Sequence, residues 1–486
     1  MAFDYDLVVI GSTREGIYAA HKAVLLQARV ALVTQTFGNY LDASFFLDGF
    51  CLGHIVNYLA QVEKVTWGLL DETRVQQQLS LEEIFQDIKT IRESIYNTES
   101  LEDLAFNGVD VIYGKGEFCR APRQAFVVNN RRLISRNYLL ATGGKYTLPK
   151  ILENQVAHPN LLTPEQFFQH DIEAPHKKIV LVGDNFRSIE LAQILARLEY
   201  QIIYVTANKR ILPGENVAVN RLFAAQLNAD GIKILTKSPL QQVKAIEKGF
   251  SLQVGERSLE ATQVIFAHVL QPNIEELNLE SIGVKYSKRG VIVNNKLQTS
   301  NHSIYACGNL LGGNSSLHLA QYEVNIALKN TLSFSWFERH YQNIPITMFT
   351  QPNLARIGLT QIPLKAIKKG KIHLIKEYYQ NLATAQVTGE TTGWCELVLQ
   401  SNGKILGATI VGNQAIELIN IIALMIQHNI KLSANPIKGL LSQDIPYTAP
   451  GYSEILNKLA ISFQQEKIQK NKSLKNRLIT WFDWRK

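Results

Sequence analysis

The chain has 486 residues, 46% hydrophobic and 19% charged, which excludes intrinsic disorder and exceeds one ordinary core, so about three domains are expected. The formal charge of +8 is no argument for nucleic acid: residues 461–486 carry seven Lys or Arg against Glu466 and Asp483, and the rest of the chain is left with only +3. No run of about 18 uncharged apolar residues suggests a membrane span, and the opening lacks the basic and apolar regions of a signal peptide, so the reading is cytoplasmic.

Taken in chain order, the apolar run Tyr5 to Ile10 predicts a strand. Gly11 and Gly16 follow it, then a helical run through Ala19, Ala20, Ala23 and Leu26, then a strand from Val30 to Val33. That is a βαβ unit. Ser80 to Ile95 reads as a polar, charged helix, and Val109 to Tyr113 with Gln124 to Val128 as short strands of a small meander. A second βαβ unit has strands at Lys178 to Val182 and Gln201 to Val205, a turn opened by Gly183, and a helix from Ile189 to Leu198. Two such units predict two nucleotide-binding lobes. Gly393 to Val411 alternates like a hairpin around Asn402-Gly403, and helical periodicity runs from Ala415 to Ile426. These predict a separate α+β domain starting near Pro345. The four cysteines, Cys51, Cys119, Cys307 and Cys395, make no C-x-x-C or metal spacing; buried free thiols are expected and no metal site is assigned.

The first turn reads Gly11-Ser12-Thr13-Arg14-Glu15-Gly16, with Thr13 where a dinucleotide fingerprint has the glycine that admits the pyrophosphate. Further on stand Leu139 to Pro149 (LLATGGKYTLP) and Thr299-Ser300 followed by Ile304-Tyr305-Ala306-Cys307-Gly308-Asn309. With RILPGENVAV, Gln271-Pro272-Asn273, Phe349 to Pro352, Arg356 to Thr360, and Leu406 to Gly412, these resemble, in order and spacing, the FAD-dependent pyridine nucleotide–disulfide oxidoreductases. The resemblance covers about Asp4 to Ile455. It implies an α/β protein with two Rossmann-like nucleotide-binding lobes and a C-terminal α+β dimerisation domain, forming a homodimer. It divides the chain into an FAD-binding domain (1–150, returning at 269–340), an NAD(P)-binding-like domain (151–268), a dimerisation domain (341–460) and a basic tail (461–486). The cofactor residues it implies are Gly11, Thr13, Gly16, Thr34, Ala141, Thr142, Gly143, Gly308 and Asn309. Asn309 stands where the family has the Asp that binds the ribityl chain.

The chain departs from the family where disulfides are reduced. The resemblance places the family's C-x-x-x-x-C pair at Leu41 and Phe46, or at Asp42 and Leu47 after a one-residue shift; Cys51 falls at or beside the Lys that follows the pair. Glu190 matches the acid that pairs with that Lys, and so loses its usual partner. The family's His-Glu dyad matches Ala449-Pro450-Gly451-Tyr452-Ser453-Glu454, which keeps the acid and has alanine for the base. Without a thiol pair or an imidazole, thiol–disulfide exchange has neither reactant nor base, and no catalytic residue is assigned.

The acids expected to bind a ribose diol are replaced by Thr34 and Thr206, and the second turn, Gly183-Asp184-Asn185-Phe186-Arg187-Ser188, keeps one glycine of three. FAD is therefore expected to bind, more weakly than in the parent family, and NAD(P)H binding is doubtful. The tail places Leu474, Leu478, Trp481 and Phe482 at helical spacing among basic residues, which suits a solvated helix, a membrane surface or an acidic protein partner. Two functions compete: a flavoprotein that moves electrons without a disulfide, and a non-catalytic scaffold or assembly factor. The colour of the purified protein separates them.

Overall fold

The computed structural model describes residues 3–34, 86, 90, 91, 94, 100–149, 152, 158–169, 177–267, 270–313, 316–360, 372–432 and 449–485. The matched sulfur positions, Cys51 and most of the helix expected over Ser80 to Ile95 lie outside these residues. The chain forms two units, one of residues 1–213 and 224–339, the other of 214–223 and 340–486.

In the first unit, strand β1 (Tyr5–Ile10) is almost wholly buried, as expected of a central parallel strand covered on both faces. Helix α1 (Arg14–Leu25) follows it, burying Ile17, Ala19, Ala20 and Ala23; the small alanines let the helix lie close to the sheet. It leads to β2 (Val30–Thr34). Helix α2 (Leu101–Phe106), capped by Ser100 Oγ, precedes β3 (Asp110–Tyr113). Strands β4 (Gly116–Cys119), β5 (Ala125–Val128) and β6 (Arg131–Leu133) form an antiparallel meander before β7 (Ser135–Leu140) and β8 (Gly144–Tyr146). The meander expected from Val109 to Val128 is thus corrected. β3 pairs parallel with β2 through Ala31 and Asp110, and β4 to β6 are the meander. Short strands of similar composition do not reveal which sheet they join.

The second lobe of this unit repeats the plan. It contains β9 (Leu161–Leu162), helix α3 (Pro164–Gln169), β10 (Lys178–Gly183), helix α4 (Phe186–Arg197) and β11 (Gln201–Val205). Helix α5 (Val217–Ala229), of which residues 217–223 are counted with the second unit, and β12 (Lys233–Leu235) come next, then the antiparallel β13 (Leu240–Ile246), β14 (Gly249–Val254) and β15 (Arg257–Ala261), and β16 (Gln263–Ala267). The parallel order is β12-β11-β10-β16-β9. Strand β17 (Leu270–Pro272) pairs with β8, and β18 (Tyr286–Ser287) with β19 (Gly290–Val291). Strand β20 (Ile304–Ala306) then completes the first sheet, whose order is β20-β7-β1-β2-β3. Helix α6 (Leu317–Leu332) closes the unit.

The second unit holds an antiparallel sheet in the order β21-β22-β25-β24-β23, from β21 (Ile346–Met348), β22 (Leu354–Gly358), β23 (Ile372–Tyr378), β24 (Trp394–Gln400) and β25 (Ile405–Val411). The hairpin expected at Asn402-Gly403 joins β24 to β25, with Gly403 at φ +84°. Helix α7 (Ala383–Val387) is short; α8 (Ala415–Gln427) and α9 (Glu454–Lys470) bury Leu418, Ile419, Ile422, Leu459 and Phe463 against the sheet. Helix α10 (Lys472–Trp484) ends the chain and buries no residue. Segment 214–223 joins this unit, where buried Glu215 pairs with Arg356 of β22 at 2.7 Å. Burial raises the Glu215 carboxyl and the guanidinium opposes the rise.

Candidate cofactor site

Four neighbouring parallel strands of the first sheet end at one edge: β20, β7, β1 and β2. The carboxyl edge of such a sheet is where ligands of doubly wound folds bind. Gly11 leaves β1 at φ +109°, and a Cβ there would stand 2.2 Å from Ala141 O. Only glycine fits this approach. Gly16 is held equally close, since its Cβ would lie 2.1 Å from Gly11 O. Thr13 is the N-cap of α1; its hydroxyl accepts from Gly16 N at 3.4 Å and donates to Ala141 O at 2.9 Å. The side chain that replaces the middle glycine therefore folds back onto the scaffold.

Beyond β7, Thr142 Oγ1 donates to Asn273 O at 2.6 Å, and Asn273 N donates to Gly143 O at 3.1 Å. Gly143 and Gly308 adopt φ +72° and +70°. Asn309 follows Gly308 at the end of β20 and is half-buried. Thr34, at the end of β2, is buried, and its hydroxyl is hydrogen-bonded to Ser12 Oγ at 2.8 Å. All nine residues expected at a cofactor are gathered along this edge. The positive-φ glycines and the start of α1 form a cradle of the kind a dinucleotide phosphate requires, so the residues present fit the FAD that the resemblance implies. Sequence reading missed Asn273 as the tie to Thr142 and Gly143. It also missed two acids at Gly308: Glu323 Oε2 accepts from Gly308 N at 2.7 Å, and Glu15 Oε1 lies 2.3 Å from where a Gly308 Cβ would stand. Glu15 was visible as an acid inside the turn; nothing in the sequence marked Glu323.

The second lobe is built differently. Asn185 caps α4, its side chain accepting from Ser188 N at 2.9 Å, while Ser188 Oγ engages the Asn185 backbone and Tyr204 OH. A Cβ on Gly183 would stand 2.2 Å from Ser188 Cβ. The start of this helix is thus capped by its own side chains. Glu190, expected to have lost its cationic partner, has gained another: Arg187 Nη1 lies 2.7 Å from Glu190 Oε2, with both side chains nearly buried. Arg187 stands one helical turn upstream, at the i, i+3 spacing at which side chains meet on a helix. Nearby Tyr146 is pushed well above the usual phenol range by burial, with the fields of Glu165, Glu190 and Asp184 adding and Arg187 opposing.

In the second unit, Ala449 is exposed. Glu454, the surviving acid of the dyad stretch, pairs with Lys458 at 3.2 Å. Tyr452 OH is hydrogen-bonded to Thr388 Oγ1 at 2.9 Å. The described cysteines are free. Cys307 and Cys395 are buried, and burial raises both thiols, so neither is a thiolate nucleophile near neutral pH. Cys119 departs from the expected burial; it is partly exposed at the end of β4. Among the described residues, no group of three or more His, Cys, Asp or Glu could hold a metal. No helix there is long and apolar enough to cross a membrane.

Comparison with known proteins agrees with this arrangement. The family described as pyridine nucleotide-disulphide oxidoreductase matches residues 5–324, and its dimerisation domain matches 344–440. A mercuric reductase of Staphylococcus aureus is 28% identical, covering 95% of this chain and 83% of that protein. A dihydrolipoyl dehydrogenase of the same organism is 24% identical, covering 92% and 97%. In fold, the chain is similar to LpdA of Mycobacterium tuberculosis, with a TM-score of 0.81 at 19% identity over 94% of this chain and 99% of that one. It is also similar to the HOCl-induced flavoprotein disulfide reductase RclA of Escherichia coli, with a TM-score of 0.78 at 19% identity over 95% and 99%. With both lobes and the dimerisation domain matched, the chain belongs to the pyridine nucleotide-disulphide oxidoreductases, a family of FAD-binding flavoproteins.

Proposed function

We propose that this protein is a redox flavoprotein that holds FAD in its first lobe and moves electrons without a disulfide centre. The convergence of Gly11, Ala141 to Gly143 and Gly308 at one sheet edge carries this reading. Gly11, Gly16 and Gly143 give the phosphates close backbone approach. Thr13 stays folded onto Ala141, Thr142 braces the segment through Asn273, Asn309 faces the ribityl chain in place of an acid, and Thr34 takes the adenosine ribose position through its hydroxyl. When bound, FAD supplies the two-electron chemistry, and the protein supplies binding and orientation.

The absence of disulfide chemistry in this proposal rests on residue types. No cysteine stands at 41, 42, 46 or 47, and the base of the dyad is Ala449. The capped start of α4 supports weak or no binding of NADH and NADPH. Losing a hydrogen bond to a charged group costs about 1.5–3 kcal/mol, roughly ten- to a hundredfold in affinity. We assign residues 1–150 and 269–340 to the FAD-binding domain, 151–268 to the NAD(P)-like domain and 341–460 to a dimerisation domain that makes a homodimer, and place the protein in the cytoplasm.

The purified protein should be yellow and release FAD, not FMN, on denaturation. Gly11→Leu should bleach it. Assays with lipoamide, glutathione disulfide, thioredoxin and Hg(II) should show no turnover above free flavin, and Ala449→His alone should restore none. Cys51-dependent disulfide reduction would overturn the chemistry. A colourless protein that excess FAD cannot reconstitute would leave the fold as a non-catalytic scaffold or assembly factor.

A further inference from the structure

One feature of the cradle opposes the ligand that the rest of it fits. Glu15 is the second residue of α1 and is only 7% exposed. Its side chain does not point to solvent, because its Oε1 lies against Gly308, 2.3 Å from where a Cβ would stand. Glu323, 4% exposed, meets the same glycine from α6 by accepting from Gly308 N at 2.7 Å. Two buried carboxylates thus converge on the residue that joins the end of β20 to Asn309. The field of both is felt at Cys307, whose buried thiol they help to raise.

A helix start attracts phosphate because its free N–H groups carry roughly half a positive charge. One carboxylate in the first turn more than cancels that half charge. Moreover, Gly16 N is occupied by Thr13 Oγ1 and Gly308 N by Glu323. Two backbone N–H groups of the cradle are therefore already engaged, and a diphosphate at the start of α1 would sit close to the Glu15 carboxylate.

We propose that Glu15 is a charge that competes with the FAD diphosphate for the start of α1 and so sets a weak, exchangeable affinity for the cofactor. The inference rests on the FAD reading above. In this protein flavin is a ligand that comes and goes with its concentration.

The test titrates FAD into flavin-depleted full-length protein, following bound-flavin absorbance and fluorescence, for the wild type, Glu15→Gln and Glu15→Ala. Glutamine keeps the volume and removes the charge. Both variants should bind FAD about tenfold tighter or more, with circular dichroism and melting close to wild type. Tightening by alanine alone would overturn the charge mechanism, because bulk would then be the obstacle. Equal or weaker affinity in both folded variants would overturn the proposal while leaving FAD binding intact. If neither the wild type nor a variant takes up FAD at saturating concentration, both this inference and the flavoprotein reading fail.

Discussion

Arg187 pairs with Glu190 within a single helical turn. The resemblance leaves Glu190 without its Lys, and a nearly buried carboxylate with no compensation would cost several kcal/mol. The arginine three residues upstream meets it at 2.7 Å. Neither side chain is more than 12% exposed, so this pair is screened far less than an ion pair at the surface. A double-mutant cycle of Arg187→Leu and Glu190→Leu should give a coupling energy above about 1 kcal/mol, with Arg187→Leu alone costing roughly 2–3 kcal/mol. Additive single effects in urea unfolding would show that the two residues act independently. The same scale explains why Thr13 and Thr34 do not clash with the cradle: each hydroxyl has a neighbour, Ala141 or Ser12, to which it is tied.

At the scale of elements, the last two helices behave differently. Helix α9 is anchored on β23. His373 Nδ1 lies 2.8 Å from Glu466 Oε1, Lys470 lies 2.6 Å from the same oxygen, and the His373 ring packs edge-on against Phe463. Burial works to raise the Glu466 carboxyl, but the hydrogen bonds from Lys470 and His373 prevail and it is lowered. A depressed acid contributes stability that is present above its unfolded pKa and is lost as pH falls through its folded pKa. The melting advantage of wild type over Glu466→Gln should therefore persist at pH 7 and vanish below about pH 4. A gap independent of pH would refute this role.

Helix α10 buries none of its residues. Phe482 and Trp484 are 55% and 81% exposed, and Arg485 lies over the Trp481 ring at 4.9 Å. Removing Ser473 to Lys486 should change the melting temperature by less than about 2 °C, because almost no buried apolar area is lost. If the tail meets a lipid surface, truncation should abolish salt-sensitive sedimentation with anionic vesicles. Equal sedimentation before and after would remove the lipid reading and leave an acidic protein partner or a solvated helix.

For the whole molecule, the match to the family's dimerisation domain at 344–440 leads to a specific expectation: sedimentation at micromolar concentration should give twice the 54.7 kDa chain mass. A monomer would refute it. Truncation of α10 should leave the dimer intact, since that helix lies past the matched residues.

Periodicity and turn chemistry were enough to read the fold class, both βαβ units, and the hairpin at Asn402-Gly403, because each is a local pattern of about twenty residues or fewer. The order of glycine motifs was enough to single out Gly11, Gly143 and Gly308, which the fold brings to one sheet edge, since a positive φ or a close backbone approach leaves glycine little competition. Tertiary structure alone decided what depends on partners distant in sequence. It put β3 beside β2, since any short apolar strand satisfies the same alternation. It brought Glu323 to Gly308 across 15 residues and a change of element. Glu15 could be read as an acid from the sequence, but only the fold shows it turned inward on Gly308.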